Sequence, residues 1–114
     1  MTVNTYAIVP DATLSLAQGV PLADEPGLGA LTLSGFLREV VASHGPREAI
    51  AQPRPDGSVE RWTYDDLWMR SLEVARALVA SGVSKGTRVG VLMTNRAEFA
   101  SSVFGIALAG GVAT

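Results

Sequence analysis

Two adjacent carboxylates and one imidazole come nearest to what acid–base or metal chemistry requires. Asp65 and Asp66 are neighbours, but consecutive residues of a helix point about 100° apart, so their carboxylates do not converge on one proton. His44 is the only histidine; a zinc site needs further ligands, so packing or a favourable place at a helix C-terminus fits it better. The chain has no cysteine, which excludes disulfides, thiolate metal sites and a cysteine nucleophile. We therefore predict no catalytic residue and no metal-binding residue from these side chains.

Two glycine-containing segments have a superficial likeness to phosphate-binding loops. The run Lys85-Gly86-Thr87 is similar to the end of a P-loop, but its order is wrong and the upstream glycines are absent. Residues 27–29 (Gly-Leu-Gly) follow no predicted strand and lack the third glycine of a dinucleotide fingerprint. The strand-to-helix turn at residues 93–96 contains no glycine. A small nucleotide-binding α/β protein is therefore poorly supported, and no cofactor-binding residue is predicted.

Three aromatic side chains, Trp62, Tyr64 and Trp68, lie close together in the sequence. They could form a platform on which bases stack, or they could pack a strand against a helix. The interpretation that they pack is favoured on the premise that no basic residues surround them.

Composition limits the class of protein. The chain has 114 residues, of which 47% are hydrophobic, so it can bury a core. A net charge of −2 without a basic cluster argues against a nucleic-acid partner. The N-terminus shows no secretory signal, and the longest apolar stretch, residues 99–113, is shorter than the roughly 20 residues that cross a bilayer. We expect a cytoplasmic protein without a transmembrane segment.

The first half of the chain predicts a lead, a helix and a hairpin. Prolines and glycines break any period over residues 1–31, which predicts an extended N-terminal lead. Apolar residues spaced as on one helix face predict a helix over residues 33–44, capped by Thr32 or Ser34 and ended by Gly45 and Pro46. Residues 48–52 and 59–63 predict two strands around an Asp-Gly turn, with Trp62 and Val59 on opposite faces of the second strand.

The second half predicts alternating helices and strands. Thr63 and Asp66 form a capping box at the start of a long helix, and Gly82 occupies the left-handed position after its end. Residues 89–93 are apolar on both faces, which predicts that residues 88–94 form a central parallel strand, and Gly90 within it indicates close backbone packing.

A further helix follows that strand. Asn95 and Glu98 predict its capping box, and apolar residues on most sides predict that it is buried nearly all round. Gly105 allows a neighbour to approach closely. Residues 112–114 begin another strand, and a parallel strand–helix–strand unit results.

Four short blocks, taken in order and spacing, resemble the N-terminal edge of the adenylate-forming enzymes. That superfamily includes acyl-CoA synthetases, aryl-CoA ligases, luciferases and peptide-synthetase adenylation domains. The blocks are residues 62–67 (WTYDDL), 82–89 (GVSKGTRV), 95–99 (NRAEF) and 108–112 (LAGGV). Thr87 stands where the family usually has aspartate. The resemblance covers about residues 32–114. It implies an α/β fold, namely the incomplete N-terminal part of the family's large domain, with helix, β-hairpin, helix, parallel strand and helix.

The resemblance implies an activity for a longer parent protein. In this family a carboxylate attacks the α-phosphate of Mg·ATP to give an acyl-adenylate, and in most members a CoA or pantetheine thiol then displaces AMP. The resemblance thus implies ATP, Mg and CoA for the parent and none for this chain. The residues that the family uses for this chemistry are absent here, so the catalytic, cofactor-binding and metal-binding sets are all empty.

Two hypotheses follow for residues 1–114. In the first, residues 1–31 are a lead and residues 32–114 a partial AMP-binding domain, whose partner is the rest of the synthetase chain and whose parent activates a carboxylic acid, fatty or aromatic. The isolated chain is then inactive. In the second, the chain is a truncated interaction or regulatory module, which an open sheet edge would allow to pair.

Overall fold

The computed structural model describes Gly19, residues 21–24 and residues 32–114. After a 3-10 turn at Leu22–Asp24, the regular elements are helix α1 (Leu33–His44), strands β1 (Glu48–Pro53) and β2 (Val59–Thr63), helix α2 (Tyr64–Ala80), strand β3 (Arg88–Val89), helix α3 (Ala97–Leu108) and strand β4 (Val112–Ala113). This order confirms the predicted α/β fold class. The lead predicted over residues 1–31 lies almost wholly outside the described residues. Within the described ranges no helix is long and apolar enough to cross a membrane.

A side-chain cap begins α1, and a glycine joins its end to the start of α2. Thr32 Oγ1 accepts a hydrogen bond from the Gly35 backbone N–H at 3.0 Å, so Thr32 is the cap and Ser34 is not. At the other end, the Gly45 carbonyl accepts from the Asp65 backbone N–H at 2.9 Å. A β-carbon at Gly45 would collide with the Asp65 carboxylate. That carboxylate is the end of an exposed side chain, so a larger residue at position 45 would need only the Asp65 side chain to rotate away.

β1 and β2 form the predicted antiparallel hairpin, and β1 runs one residue further than predicted. In the turn, the Asp56 carboxylate accepts from the backbone N–H and the hydroxyl of Ser58 at 2.9 and 2.6 Å. Gly57 has a φ of +84°, in the left-handed region that glycine tolerates best. Trp62 is 3% exposed and Val59 is 44% exposed. The predicted assignment of these two residues to opposite faces is thus confirmed.

Both ends of α2 are capped as predicted. Thr63 Oγ1 accepts from the Asp66 backbone N–H at 3.1 Å, and the Asp66 carboxylate accepts from the Thr63 backbone N–H at 2.8 Å. At the other end Gly82 has a φ of +93°. The N–H groups of Gly82 and Val83 donate to carbonyls of the last turn at 3.0 Å, which is a Schellman motif.

The capping box makes the stability of the chain depend on pH. Hydrogen bonds from the backbone N–H and hydroxyl of Thr63 hold the pKa of Asp66 below its ordinary value of 3.8. A carboxylate whose pKa is lower in the folded state adds stability above its unfolded pKa, and this is lost as pH falls through the folded pKa. Urea unfolding should therefore show the wild type losing its advantage over Asp66→Asn between about pH 5 and about pH 2. An advantage that stays constant over this range would contradict the prediction.

α3 packs closely against α2 at Gly105, as predicted. A β-carbon at Gly105 would lie 2.5 Å from Val74 Cγ1 and 3.0 Å from the Ser71 carbonyl oxygen. The Ser71 side chain is itself fully buried, and its hydroxyl donates to the Leu67 carbonyl at 2.7 Å. The absence of a side chain at Gly105 is what lets the two helices approach.

β3 precedes α3 and β4 follows it, and the two strands have the predicted parallel orientation; that they pair directly with each other was not predicted. The strand predicted over residues 88–94 is too long, since β3 covers only Arg88–Val89. The last hydrogen bond between this segment and the β4 side is the one that the Val91 N–H donates to the Thr114 carbonyl at 2.8 Å. A run that is apolar on both faces needs neighbours on both sides to continue as a strand, and within residues 32–114 it has one. The close contact expected at Gly90 is not made within the described part of the chain, where a β-carbon at Gly90 would meet nothing within 4 Å.

The prediction that α3 is buried nearly all round is wrong, because α3 is buried along one side only. Phe99 is 42% exposed although Ile106 is fully buried. The reason is that α1, α2, β1 and β4 cover part of its circumference and no described element covers the rest. Four side chains form the core cluster between the hairpin and the helices: Leu37, Trp62, Leu67 and Ala97.

Candidate functional site

A groove with a mixed polar and apolar lining lies where the end of β1 meets the first turn of α3. Its volume is about 370 Å³, and residues 50–53 face residues 95–97 across it. A second depression of about 360 Å³ adjoins it and extends along the hairpin turn to Arg54, Pro55 and Glu60. This groove brings the hairpin and the start of α3 together, and it carries several charged side chains of the described chain.

The first turn of α3 is capped by a residue from the hairpin. Gln52 Oε1 accepts a hydrogen bond from the Ala97 backbone N–H at 2.7 Å. The predicted capping box of Asn95 and Glu98 is therefore wrong: the N-cap position is Arg96, whose side chain makes no capping bond. Glu98 instead pairs with Arg96 at 3.0 Å. The side-chain amide of Gln52 in β1 thus supplies the acceptor that Asn95 was predicted to supply.

Replacing Gln52 with methionine should lower the free energy of unfolding by about 1 kcal/mol, because the Ala97 N–H loses its acceptor while the side-chain volume is kept. Denaturant unfolding of the whole chain measures the change. Gln52→Glu is the matched control, since it keeps an acceptor oxygen and adds negative charge at a helix N-terminus. Equal stability of the methionine variant and the wild type would show that the cap contributes nothing.

The charges around the groove are paired with one another. Arg54 binds Glu60 at 2.7 Å, and this bond raises the pKa of Arg54. Hydrogen bonds from Trp62 and then Arg54 hold the pKa of Glu60 below its ordinary value. The pKa of Glu98 is lowered by its own backbone N–H and by Arg96. Both carboxylates therefore stay ionised near neutral pH, which suits charge pairing and not general acid–base catalysis.

Trp62 connects this charged surface to the core. Its indole Nε1–H donates to the Glu60 carboxylate at 2.9 Å, and the Arg70 guanidinium carbon lies 4.3 Å from the centre of its ring. Trp62 is thus a packing residue, as predicted, but the premise that no basic residue surrounds the aromatic cluster is wrong. Arg70 lies two positions after Trp68 in the sequence, and the turn from β2 into α2 places it over the ring of Trp62.

The remaining candidates for chemistry have structural roles. The Asp66 carboxylate serves the capping box, and the Asp65 carboxylate lies at Gly45, so the two do not converge. The ring of His44 lies 6.4 Å from that of Tyr64. Within residues 32–114 and the short described stretch before them, no three His, Cys, Asp or Glu side chains are grouped to hold a metal ion.

The Lys85-Gly86-Thr87 turn does not have the form of a phosphate cradle. The Gly86 N–H donates to the Gly110 carbonyl at 2.9 Å, and the Thr87 N–H donates to the Ser84 carbonyl at 3.0 Å. The Thr87 hydroxyl accepts from the Ser84 N–H at 3.1 Å. Because these amides already have acceptors within the protein, they do not fit a nucleotide phosphate, and we derive no catalytic step from this turn.

Comparison with known families decides the relationship. The family described as "AMP-binding enzyme" matches residues 37–114. This chain belongs to the AMP-binding enzyme family. An acyl-CoA ligase (sidI) of Beauveria bassiana is 36% identical over 91% of this chain. A solved fatty acyl CoA synthetase of Mycobacterium tuberculosis is 30% identical, with a TM-score of 0.63 over 72% of this chain.

Further likeness concerns the fold alone. A fatty acyl-adenylate ligase from L. pneumophila, solved with acyl adenylate and pyrophosphate, superimposes with a TM-score of 0.70 over 75% of this chain at 22% identity. This chain spans 14% to 17% of the length of the first curated relatives that it matches. Of the structures named, it spans 15% to 16%. The common fold is therefore that of a small part of these enzymes.

The blocks that carry the family resemblance are mostly helix ends and turns. Residues 62–67 finish β2 and form the capping box, and residues 82–89 contain the Schellman glycine and the turn into β3. Residues 108–112 end α3 and enter β4, with a φ of +81° at Gly110. The residues that identify the sequence as an AMP-binding segment are thus mostly those that end helices and form turns.

Proposed function

We propose that this chain is the N-terminal structural segment of an ATP-dependent acyl-CoA ligase, which joins a carboxylic acid first to AMP and then to the thiol of CoA. The observation that carries the proposal is the continuous family match over residues 37–114 in a chain that spans 14% to 17% of relatives named acyl-CoA ligase. The partner of this segment is then the rest of the ligase chain.

The segment contributes scaffold and not chemistry. Residues 32–114 act as a partial AMP-binding domain, preceded by residues 1–31 as a lead. The hairpin and the β3–α3–β4 unit form one edge of the parent's large domain. The paired charges of the groove and the hydrogen-bonded amides of Ser84, Gly86 and Thr87 support this role, because these groups already have partners within the protein. ATP supplies the adenylyl group and CoA the acceptor thiol in the parent, which works in the cytoplasm.

The substrate of the parent is a fatty or aromatic carboxylic acid. The name of the M. tuberculosis synthetase, which is 30% identical to this chain, refers to a fatty acyl group, which supports the fatty class. Relatives named acetyl-coenzyme A synthetase and surfactin synthase are also similar over part of this chain. The choice of acid is made by residues of the parent beyond this segment.

Exchange of radiolabelled pyrophosphate into ATP, with a panel of short, long and aromatic carboxylates, tests the proposal. We expect no exchange above the blank for the purified 114-residue chain, and acid-dependent exchange for a polypeptide that extends it to the length of its relatives. Near-ultraviolet circular dichroism of the short chain verifies that it is folded. Exchange by the short chain would refute its inactivity, and an extended chain inert with every acid would refute the parent's function.

The alternative is a stand-alone interaction or regulatory module. One observation favours it: β3 has an edge whose backbone groups lack partners among the described residues.

A further inference from the structure

The hairpin turn, by which we mean residues 54–58, contains the only Asp-Gly or Asn-Gly pair of the sequence, Asp56 and Gly57. In a flexible chain this pair is chemically labile, because glycine has no side chain to hinder attack by its own nitrogen. The Gly57 nitrogen can bond to Asp56 Cγ, while its proton and the hydroxyl of the protonated carboxyl group leave as water. Water then opens the resulting succinimide ring at either carbonyl carbon, which gives aspartate or isoaspartate.

The backbone of the hairpin turn holds this pair in a geometry that is unsuited to ring closure. The Gly57 N–H donates to the Arg54 carbonyl at 3.0 Å, with Pro55 and Asp56 between them, and Asp56 does not have a positive φ. These features define a type I turn, in which the ψ of Asp56 is about 0°. At this ψ the backbone nitrogens of Asp56 and Gly57 are eclipsed, so Asp56 Cβ is turned away from the Gly57 nitrogen. A planar succinimide requires that Cβ itself be eclipsed with this nitrogen, so the turn must open first.

Two hydrogen bonds hold the Asp56 side chain as well. The Ser58 hydroxyl donates to the Asp56 carboxylate at 2.6 Å, and the Ser58 backbone N–H donates to it at 2.9 Å. These bonds hold the pKa of Asp56 below its ordinary value of 3.8. Ring closure needs the protonated carboxyl group, since an ionised carboxylate has no hydroxyl to release. The hairpin turn thus opposes the reaction through both its backbone and its side chains.

We propose that Asp56 is a site of isoaspartate formation which the folded hairpin turn protects, and that Ser58 provides part of this protection by holding the Asp56 carboxylate. This inference goes beyond the scaffold role and does not depend on it, since every contact that it uses lies within the hairpin turn. The reaction proceeds from molecules whose turn has opened, so its rate follows local opening of the hairpin. Isoaspartate adds one carbon to the main chain, and a modified chain therefore loses the register that pairs Pro53 with Val59.

Substitutions of exposed residues test the site and the role of Ser58. Ser58→Ala removes the hydroxyl donor and keeps the backbone N–H, and it should raise the rate of isoaspartate formation about fivefold, as expected for the loss of one hydrogen bond. Ser58→Thr keeps both donors and should retain the wild-type rate. Ser84→Ala is the matched control, because Ser84 is an exposed serine in another turn. Asp56→Glu should abolish the signal at this position, since glutamate does not form the five-membered ring.

Incubation of the full 114-residue chain at neutral pH, with and without concentrated urea, gives the rates. Peptide mass spectrometry that distinguishes isoaspartate from aspartate measures the product at residue 56, and far-ultraviolet circular dichroism verifies that each variant is folded without urea. We expect the product to form at least about tenfold more slowly in the folded chain than in urea. Equal rates in the two conditions, or no product at residue 56 in urea, would overturn the proposal. A wild-type rate in folded Ser58→Ala would overturn the role of Ser58.

Discussion

Replacing Trp62 with alanine is expected to lower the free energy of unfolding by about 3–5 kcal/mol, the usual cost of removing a large buried aromatic side chain. Trp62 is almost fully buried and belongs to the cluster with Leu37, Leu67 and Ala97. The loss leaves a cavity between the hairpin and the helices, and it also removes the ring on which Arg70 stacks. Because small domains have a total stability of about 5–15 kcal/mol, part of the variant population should be unfolded.

Trp62→Phe is the matched control for this prediction. It keeps most of the ring and loses the indole donor to Glu60, so a smaller loss, about 1 kcal/mol for the hydrogen bond, is expected in addition to the reduced packing. Urea unfolding followed by far-ultraviolet circular dichroism measures both variants. An alanine variant no less stable than the phenylalanine variant would show that the core does not depend on this residue.

Gly105→Ala is expected to destabilise the chain by about 2 kcal/mol, although alanine favours a helix over glycine by about 1 kcal/mol. The two effects have opposite signs, so the sign of the result identifies the cause. A new β-carbon would lie 2.5 Å from Val74 Cγ1 and 2.6 Å from Val74 Cβ. Since rotation of the valine side chain does not move its Cβ, the helices α2 and α3 must separate.

Gly90→Ala is the control for Gly105→Ala, because a β-carbon at Gly90 meets open space. We expect its stability to lie within about 0.5 kcal/mol of the wild type. Thermal unfolding of the two variants side by side gives the comparison. A stabilised Gly105→Ala variant would mean that helix propensity outweighs contact at the α2–α3 interface.

Features encoded in a few neighbouring residues could be predicted from the sequence. The capping box of Thr63 and Asp66, the left-handed Gly82 and the hairpin around Gly57 depend on hydrogen bonds within a few positions. Such bonds fix element boundaries whatever surrounds them. The family resemblance rests on the same features, which is why it was correct while no site residue could be named.

Features that depend on distant residues could not be predicted. The cap of α3 was assigned to Asn95, but Gln52 supplies it from another element. Apolar composition was the basis for predicting a strand over residues 88–94 and full burial of α3. Composition shows that a side chain is more stable when buried, but it does not show whether this chain supplies the residues that would bury it. The stacking of Arg70 on Trp62 has no local signature either. Most of these errors thus concern contacts between elements, which the local sequence pattern does not specify.

The Gln52 cap also has a kinetic meaning. Its bond to the Ala97 N–H joins residues 45 positions apart, so the first turn of α3 gains its acceptor only after the chain between them has closed into a loop. Closing such a loop costs entropy before any contact rewards it, and contacts of long sequence separation slow folding. The hairpin would then have to form first, and α3 would be completed on it. Variants of Gln52 should consequently change the refolding rate most if docking of the hairpin is the rate-limiting event.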